Sequence, residues 1–193
     1  YLEKKLDPDE ANFRYISEIK RESKRCKKIV QDLLNYARTP QPEFHQEDLN
    51  DLLDQITDFA ANHTDMRRVD IVREFDPELP PIEVDADQIR QVAINLILNA
   101  GAAMPEGGTL TITTGREEAR AIITFSDTGC GIPEDEQEKI FEPFFTTRER
   151  GTGLGLAITR QIIEQHHGLV SIASNPGKGT TISVEIPFTR EVV

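Results

Sequence analysis

Asn95 and Asn99 stand four residues apart in the apolar run Asn95-Leu96-Ile97-Leu98-Asn99-Ala100, so on a helix both amides leave one face. Asn is a mediocre helix former, and a pair on one face of an apolar helix needs a reason. An amide oxygen is a suitable hard ligand for Mg²⁺, which otherwise keeps waters and phosphate oxygens. A solvent-facing or capping pair of amides is the plain alternative. A second segment, Asp127-Thr128-Gly129-Cys130-Gly131-Ile132, follows an alternating apolar stretch. A carboxylate fixed at a strand end can accept from an exocyclic amine such as that of adenine, and the glycines would let a flat base lie close; the same hexapeptide also serves as a simple turn. A third, Gly151-Thr152-Gly153-Leu154-Gly155, runs into a helical pattern, where close-approaching amides and the positive helix end would cradle a phosphate. A plain turn before a helix uses the same residues. It is neither a P-loop, having no Gly-Lys-Ser/Thr, nor a dinucleotide fingerprint, since residues 144–150 do not form a buried strand.

The elements that must hold these segments are legible from periodicity. Helices are expected over 46–62, 85–104 and 154–167, and strands over 69–75, 109–114, 121–125, 170–173 and 180–186, with turns at 105–108, 115–120 and 175–179. Helices beside neighbouring strand pairs predict an α+β fold, a two-layer sandwich in which one mixed sheet is covered by helices.

Ahead of that unit lies a different one. Residues 1–40 carry ten Lys/Arg against seven Asp/Glu, whereas residues 41–193 carry twelve against twenty-seven, and prolines at 40 and 42 mark the boundary. The first unit is mostly one long helix, opened by Asp7 as N-cap with Pro8 behind it. Ile16, Ile19, Ser23, Cys26, Val30, Leu33 and Ala37 form a heptad seam, widened by Ile29 and Leu34. The favoured reading is a helix of a multi-helix dimer, residues 1–6 finishing the preceding helix; an amphipathic helix packed on its own domain is the other. Its cluster of six Lys and Arg between Lys20 and Lys28 reads as a solvated face, or as a dock for an acidic partner. The net charge of −12 argues against nucleic-acid binding, and no apolar run reaches the length of a membrane span. Two distant cysteines, Cys26 and Cys130, read as free thiols in a reducing compartment, so a cytoplasmic location is expected, with a membrane anchor on the parent protein left open.

Taken together, the segments resemble a known family. Asn95–Ala100 looks like the N box, Asp127–Ile132 the G1 box, Phe141-Glu142-Pro143-Phe144-Phe145 the F box and Gly151–Leu156 the G2 box of the sensor histidine kinases, in the right order and spacing. The short stretch 145–150 is most similar to the nitrogen-regulatory type. Residues 41–193 then resemble the catalytic ATP-binding domain, and residues 1–40 the end of the dimerisation and phosphotransfer region, chiefly its second helix.

The resemblance implies ATP and Mg²⁺ as cofactors, a homodimer through the N-terminal helix, and a response regulator as partner. It implies Asn99 as metal ligand with Asn95 at the phosphates, and Asp127 as acceptor from adenine, helped by Thr180 or Thr181. Gly129 and Gly131 would shape the base pocket. Gly151, Thr152, Gly153, Leu154, Gly155 and Leu156 would hold phosphates through their amides, and residues 133–150 would form a lid. Arg148, with Arg150 second, would neutralise charge at the γ-phosphate. The implied reaction moves the γ-phosphoryl of ATP to a histidine and onward to a regulator aspartate.

Two departures sharpen this. In related ATP-hydrolysing machines a water-activating glutamate stands where Asn95 stands here, and an amide is no general base, so slow hydrolysis is expected. Further, none of His45, His63, His166 and His167 has the acceptor's sequence context, and all four read as surface or capping residues. The acceptor is expected upstream of Tyr1. A regulatory ATP-binding module, or an ATPase or serine kinase on the same fold, is the alternative.

Overall fold

A computed structural model describes residues 11–37, 41–148 and 151–189. The expected cap at Asp7, the segment 1–6, the break at Pro40 and the side chain of Arg150 lie outside them.

The first described element is helix α1, Ala11–Ala37. Much of its apolar stripe faces solvent: Ile19 is 66% and Val30 55% exposed, and Tyr15, Leu33 and Leu34 are open as well, while Ile16 and Ile29 are half-buried. The basic residues Lys20, Lys24 and Lys27 are exposed too.

Strand β1, His45–Glu47, follows and pairs antiparallel with β3, Ile82–Val84. Helix α2, Leu49–Ala61, starts where the Asp48 carboxylate accepts from the Asp51 amide. The expected helix from residue 46 therefore begins too early, because Gln46 and Glu47 are spent on ladder pairing. A 3₁₀ turn, Thr64–Met66, leads to β2, Val69–Glu74. Helix α3, Ala86–Ala103, carries the asparagine pair and is capped by Asp85, whose Oδ1 takes the amides of Asp87 and Gln88. Strands β4, Gly108–Glu117, and β5, Arg120–Asp127, make a hairpin. The six-residue turn expected at 115–120 is much tighter: Glu118 adopts a φ of 49°, which lets both strands run on. After a short helix α4, Glu134–Gln137, come α5, Gly155–Gln165, and the hairpin of β6, Leu169–Asn175, and β7, Gly179–Pro187.

The main sheet has the order β2-β4-β5-β7-β6, parallel at β2–β4 and antiparallel elsewhere. Its inner face supplies Leu110, Ile112, Ile123, Phe125, Ile182 and Val184, all buried against Leu53 and Ile56 of α2, Leu96 and Ile97 of α3 and Ile162 of α5. This is the expected two-layer α+β sandwich. The core positions on α3 recur at spacings of three and four, which turns Asn95 and Asn99 to the edge of the layer, where both are half-buried.

His166 departs from the expected surface role: only 2% of it is exposed. Its Nδ1 faces the Ile162 carbonyl at 2.8 Å and its Nε2 faces the Asp85 amide at 3.1 Å. A carbonyl only accepts and an amide N–H only donates, so the ring is neutral with its proton on Nδ1. The Phe44 ring packs beside it, and Asp85 Oδ2 accepts from the Glu43 amide. One imidazole thus joins the entry strand to the far ends of α3 and α5. His63 does cap, accepting from the Asp65 amide.

Candidate functional site

The site is built along α3 between the G1 loop and the start of α5. At one end the G1 loop is fastened to the C-terminus of α3: the Cys130 amide donates to the Ala103 carbonyl at 3.2 Å, and a Cβ on Gly129 would lie 2.7 Å from that oxygen. At the other end the Asn95 side-chain amide donates to the Gly155 carbonyl at 3.2 Å. Asn99, one turn along, accepts from Arg148 Nη1 at 3.1 Å through its side-chain oxygen, and its main-chain carbonyl takes Nη2 at 2.9 Å. The two amides are therefore neither solvent-facing nor capping.

Asp127 ends β5, directly opposite Thr180 on β7. Its Oδ1 accepts from the Gly129 amide at 2.8 Å and from the Thr180 amide at 3.2 Å. Burial pushes the Asp127 carboxyl above the ordinary range; the two amides, and then the charge of Arg148, pull it back. Thr181 points the other way and bonds Ser126 across the outer face at 2.9 Å, so Thr180 is the threonine at the site.

The β6–β7 turn completes this end. A Cβ on Gly131, whose φ is +70°, would sit 2.1 Å from the Asn175 carbonyl oxygen, so the two backbones touch there. The Gly177 amide donates to the Cys130 carbonyl at 2.7 Å.

Helix α5 begins at Gly155 with no side-chain cap on its first turn; Thr152 Oγ1 accepts from the Leu154 amide just before it. Uncapped first-turn amides and the helix dipole make this end receptive to an anion. Leu154 is fully buried and Leu156 packs on the core, so these two can offer a ligand only their main-chain groups. Gly153, at φ +69°, gives its carbonyl to the Phe144 amide at 2.9 Å, and a Cβ on it would strike the Phe144 carbonyl carbon at 2.4 Å. Phe144 itself has a φ of 69°, an uncommon conformation for an aromatic residue, and is 59% exposed. Gly151 sits at the edge of residues 149–150 and turns back on Arg148, its amide donating to that carbonyl at 3.1 Å.

Arg148 lies across the site. Desolvation lowers its pKa, and Cys130, Asp65 and Asp127 oppose that through their charges. One guanidinium is therefore within electrostatic reach of the G1 loop while bonded to α3.

Two contributors to the site, and one tie outside it, carry no signal in the sequence. Ser174 on β6 bonds Thr180, Gly179 and Ile132 together. Gln137 on α4 donates to the carbonyls of Ile132 and Ser174 at 3.0 and 2.9 Å, fixing α4 to β6. His166, at the far ends of α3 and α5, is the tie outside the site. None lies in a chemically suggestive run, and only strand register brings Ser174 to Asp127.

Residues 84–190 match the family described as Histidine kinase-, DNA gyrase B-, and HSP90-like ATPase. Signal transduction histidine-protein kinase AtoS of Escherichia coli (strain K12) is 36% identical over 184 residues, covering 95% of this chain and 30% of that protein. The chain spans well under half the length of the curated relatives it matches. Among solved structures, histidine kinase ThkA in complex with response regulator protein TrrA has a TM-score of 0.81 at 34% identity, covering 98% of this chain and 55% of that one. Full-length ShkA in complex with AMPPNP has a TM-score of 0.80 at 27% identity, covering 95% and 40%. With more than half its length matched, the chain belongs to the histidine kinase-, DNA gyrase B- and HSP90-like ATPase family.

Proposed function

We propose that this chain is the ATP-binding catalytic part of a sensor histidine kinase. In the intact protein it would deliver the γ-phosphoryl of Mg·ATP to a histidine of the dimerisation region, from which a response-regulator aspartate takes it. The observation that carries this reading is the row of groups along α3. Asp127 stands at one end for a base, Asn99 and Asn95 in the middle, and the uncapped amides of α5 at the other end for phosphate.

The donor set suits the cofactors. Asn99 Oδ1 already accepts from a cation, the Arg148 guanidinium, so a divalent ion would meet an oxygen oriented for positive charge. Among the described residues no group of three or more His, Cys, Asp or Glu could hold a metal. That fits Mg²⁺ taken with few protein ligands, held by Asn99 and by the phosphates, where it would neutralise charge on the transferring group. Asp127 Oδ2 would accept from the adenine amino group. Gly129 and Gly131 would let the base lie against the G1 loop, and the amides from Gly151 to Leu156 would bind the phosphates. Arg148 would turn from Asn99 toward the γ-phosphate. Asn95 bonds a main-chain carbonyl and contributes no base, so the site favours transfer to an external nucleophile over hydrolysis.

The exposed apolar stripe of α1 supports homodimerisation through this helix, and the complex of the related ThkA with a response regulator supports that class of partner. No described helix is long and apolar enough to cross a membrane. The cysteines are both free and exposed, in keeping with a reducing, cytoplasmic setting.

The test supplies a separate dimerisation domain bearing its acceptor histidine, with γ-labelled ATP. Label appearing as an acid-labile, base-stable phosphohistidine is the expected result. An acid-stable phosphoprotein, or rapid release of ADP by the chain alone, would replace transfer to histidine with a serine kinase or an ATPase.

A further inference from the structure

Ser174 lies outside all four sequence boxes, yet it completes a row that crosses three strands. Asp127 on β5 is registered with Thr180 on β7, and Thr180 with Ser174 on β6, so all three side chains share the helix-covered face of the sheet. Thr180 is buried and Ser174 half-buried.

The protons in this row can be assigned from chemistry alone. Ser174 Oγ lies 3.0 Å from the Gly179 carbonyl, which only accepts, so the one hydroxyl proton of Ser174 is given there. The Ile132 amide, which only donates, reaches the same Oγ at 2.8 Å. Ser174 then has no proton left for Thr180 Oγ1, 2.9 Å away, so Thr180 is the donor in that bond. With its proton turned to Ser174, Thr180 presents only lone pairs to the site. Asp127 does the same: Oδ1 is taken by two amides, leaving among the described residues an Oδ2 that can only accept.

We propose that Ser174 is a specificity-determining residue, which ties up the Thr180 hydroxyl proton so that the Asp127–Thr180 wall is made only of hydrogen-bond acceptors. This rests on the reading of Asp127 as the partner of the base. Such a wall accepts the 6-amino group of adenine, directly or through a water that gives both its protons to Asp127 and Thr180 and turns a lone pair to the base. It repels the 6-oxo group of hypoxanthine or guanine, because two acceptors cannot share a proton that neither carries. Without Ser174 the Thr180 hydroxyl is free to rotate and donate to a 6-oxo group, so discrimination relaxes. Ser174 need not touch the ligand; it acts through Thr180 and is a positioning residue.

The experiment measures Kd for ADP and for inosine 5′-diphosphate by calorimetry, with thermal unfolding followed in parallel. Wild type should prefer ADP. Ser174→Ala should shrink the ADP-to-IDP preference by about fivefold to tenfold, the size of one hydrogen bond gained by the wrong base. Ser174→Thr, which keeps the hydroxyl, should retain the preference. Thr180→Val, which deletes the repelling oxygen at similar volume, should also shrink the preference, and adding Ser174→Ala to it should change nothing more, since Ser174 would have nothing left to act on. The Thr180→Val arm stands even where Ser174→Ala fails to fold. Equal weakening of ADP and IDP by Ser174→Ala, or an unaltered preference in Thr180→Val, would overturn the role of Ser174 while leaving the nucleotide site intact. A wild type that binds IDP as well as ADP would instead overturn the placement of the base, and the proposal with it.

Discussion

The guanidinium of Arg148 holds Asn99 by two bonds, one to the side-chain oxygen at 3.1 Å and one to the main-chain carbonyl at 2.9 Å. The same amide oxygen is the one proposed above to meet a divalent cation. Arg148 is therefore bonded to the residue proposed for the metal, and its charge is felt at Asp127.

Arg148→Ala is expected to lower phosphoryl transfer to a separate acceptor domain by roughly 10²- to 10³-fold, the usual scale for losing one charge-stabilising group in a transition state. ADP binding, which lacks the γ-phosphate, should change by no more than about twofold to threefold on the scale of a surface ion pair. Arg148→Lys should recover little of the rate, because a point charge cannot make the two-pronged contact. Equal losses in transfer and in ADP binding would mean that Arg148 holds the nucleotide as a whole.

Asn99→Ala removes the amide oxygen proposed for the metal. Titrations with ATP in EDTA and in excess Mg²⁺ should then give nearly the same affinity, whereas wild type should bind more tightly with the metal. An undiminished Mg²⁺ dependence would move the ion to another group.

Burial raises the Asp127 carboxyl above the ordinary range, and the direction of that shift fixes two pH effects of opposite sign. The ionised form accepts from adenine, so ADP affinity should fall as pH drops through the raised pKa, beginning at higher pH than an ordinary carboxylate would allow. For the ligand-free fold the raised native pKa means that the folded state holds the proton more tightly than the unfolded one. That contribution to stability is present below the unfolded pKa and is lost as pH rises through the native pKa. Asp127→Asn should flatten both dependences, as read by calorimetry and by thermal melts across the acid range.

Gly131→Ala places a methyl group 2.1 Å from the Asn175 carbonyl at a φ of +70°, so the G1 loop and the β6–β7 turn must separate. A loss of about 1–3 kcal/mol is expected from strain of this kind. It should appear as a lower midpoint in denaturant together with weaker ADP binding. Gly177, where an added Cβ meets nothing within 4 Å, is the control in the same turn at a φ of +75°. Gly177→Ala carries the strain of a positive φ without the clash, so it should cost less stability and less ADP affinity than Gly131→Ala.

Much of this was legible in the sequence. Helical period alone puts Asn95 and Asn99 on the edge of α3, since Leu96, Ile97 and Ala100 must face the core. The Asp127 strand end and the glycine run before α5 followed from local patterns. What escaped depends on partners distant in sequence. Ser174 reaches Thr180 and Asp127 only through the register of three strands, and His166 is buried because residues 43–45 fold back over it. The start of α2 lies later than its periodicity suggests for the same reason: Gln46 and Glu47 suit a helix, and only the pairing of β1 with β3 makes them a strand. The tight β4–β5 turn hinged on Glu118 entering a positive-φ conformation that its side chain does not advertise.

The central claim is that Asp127 receives the base of a nucleotide whose phosphates lie at α5. Calorimetric titration of Asp127→Asn with ADP and with ATP in Mg²⁺ tests it most directly. Losing a charged acceptor at the base should weaken both ligands alike, by about 10- to 100-fold. A loss confined to ATP would place Asp127 at the phosphates and contradict the account.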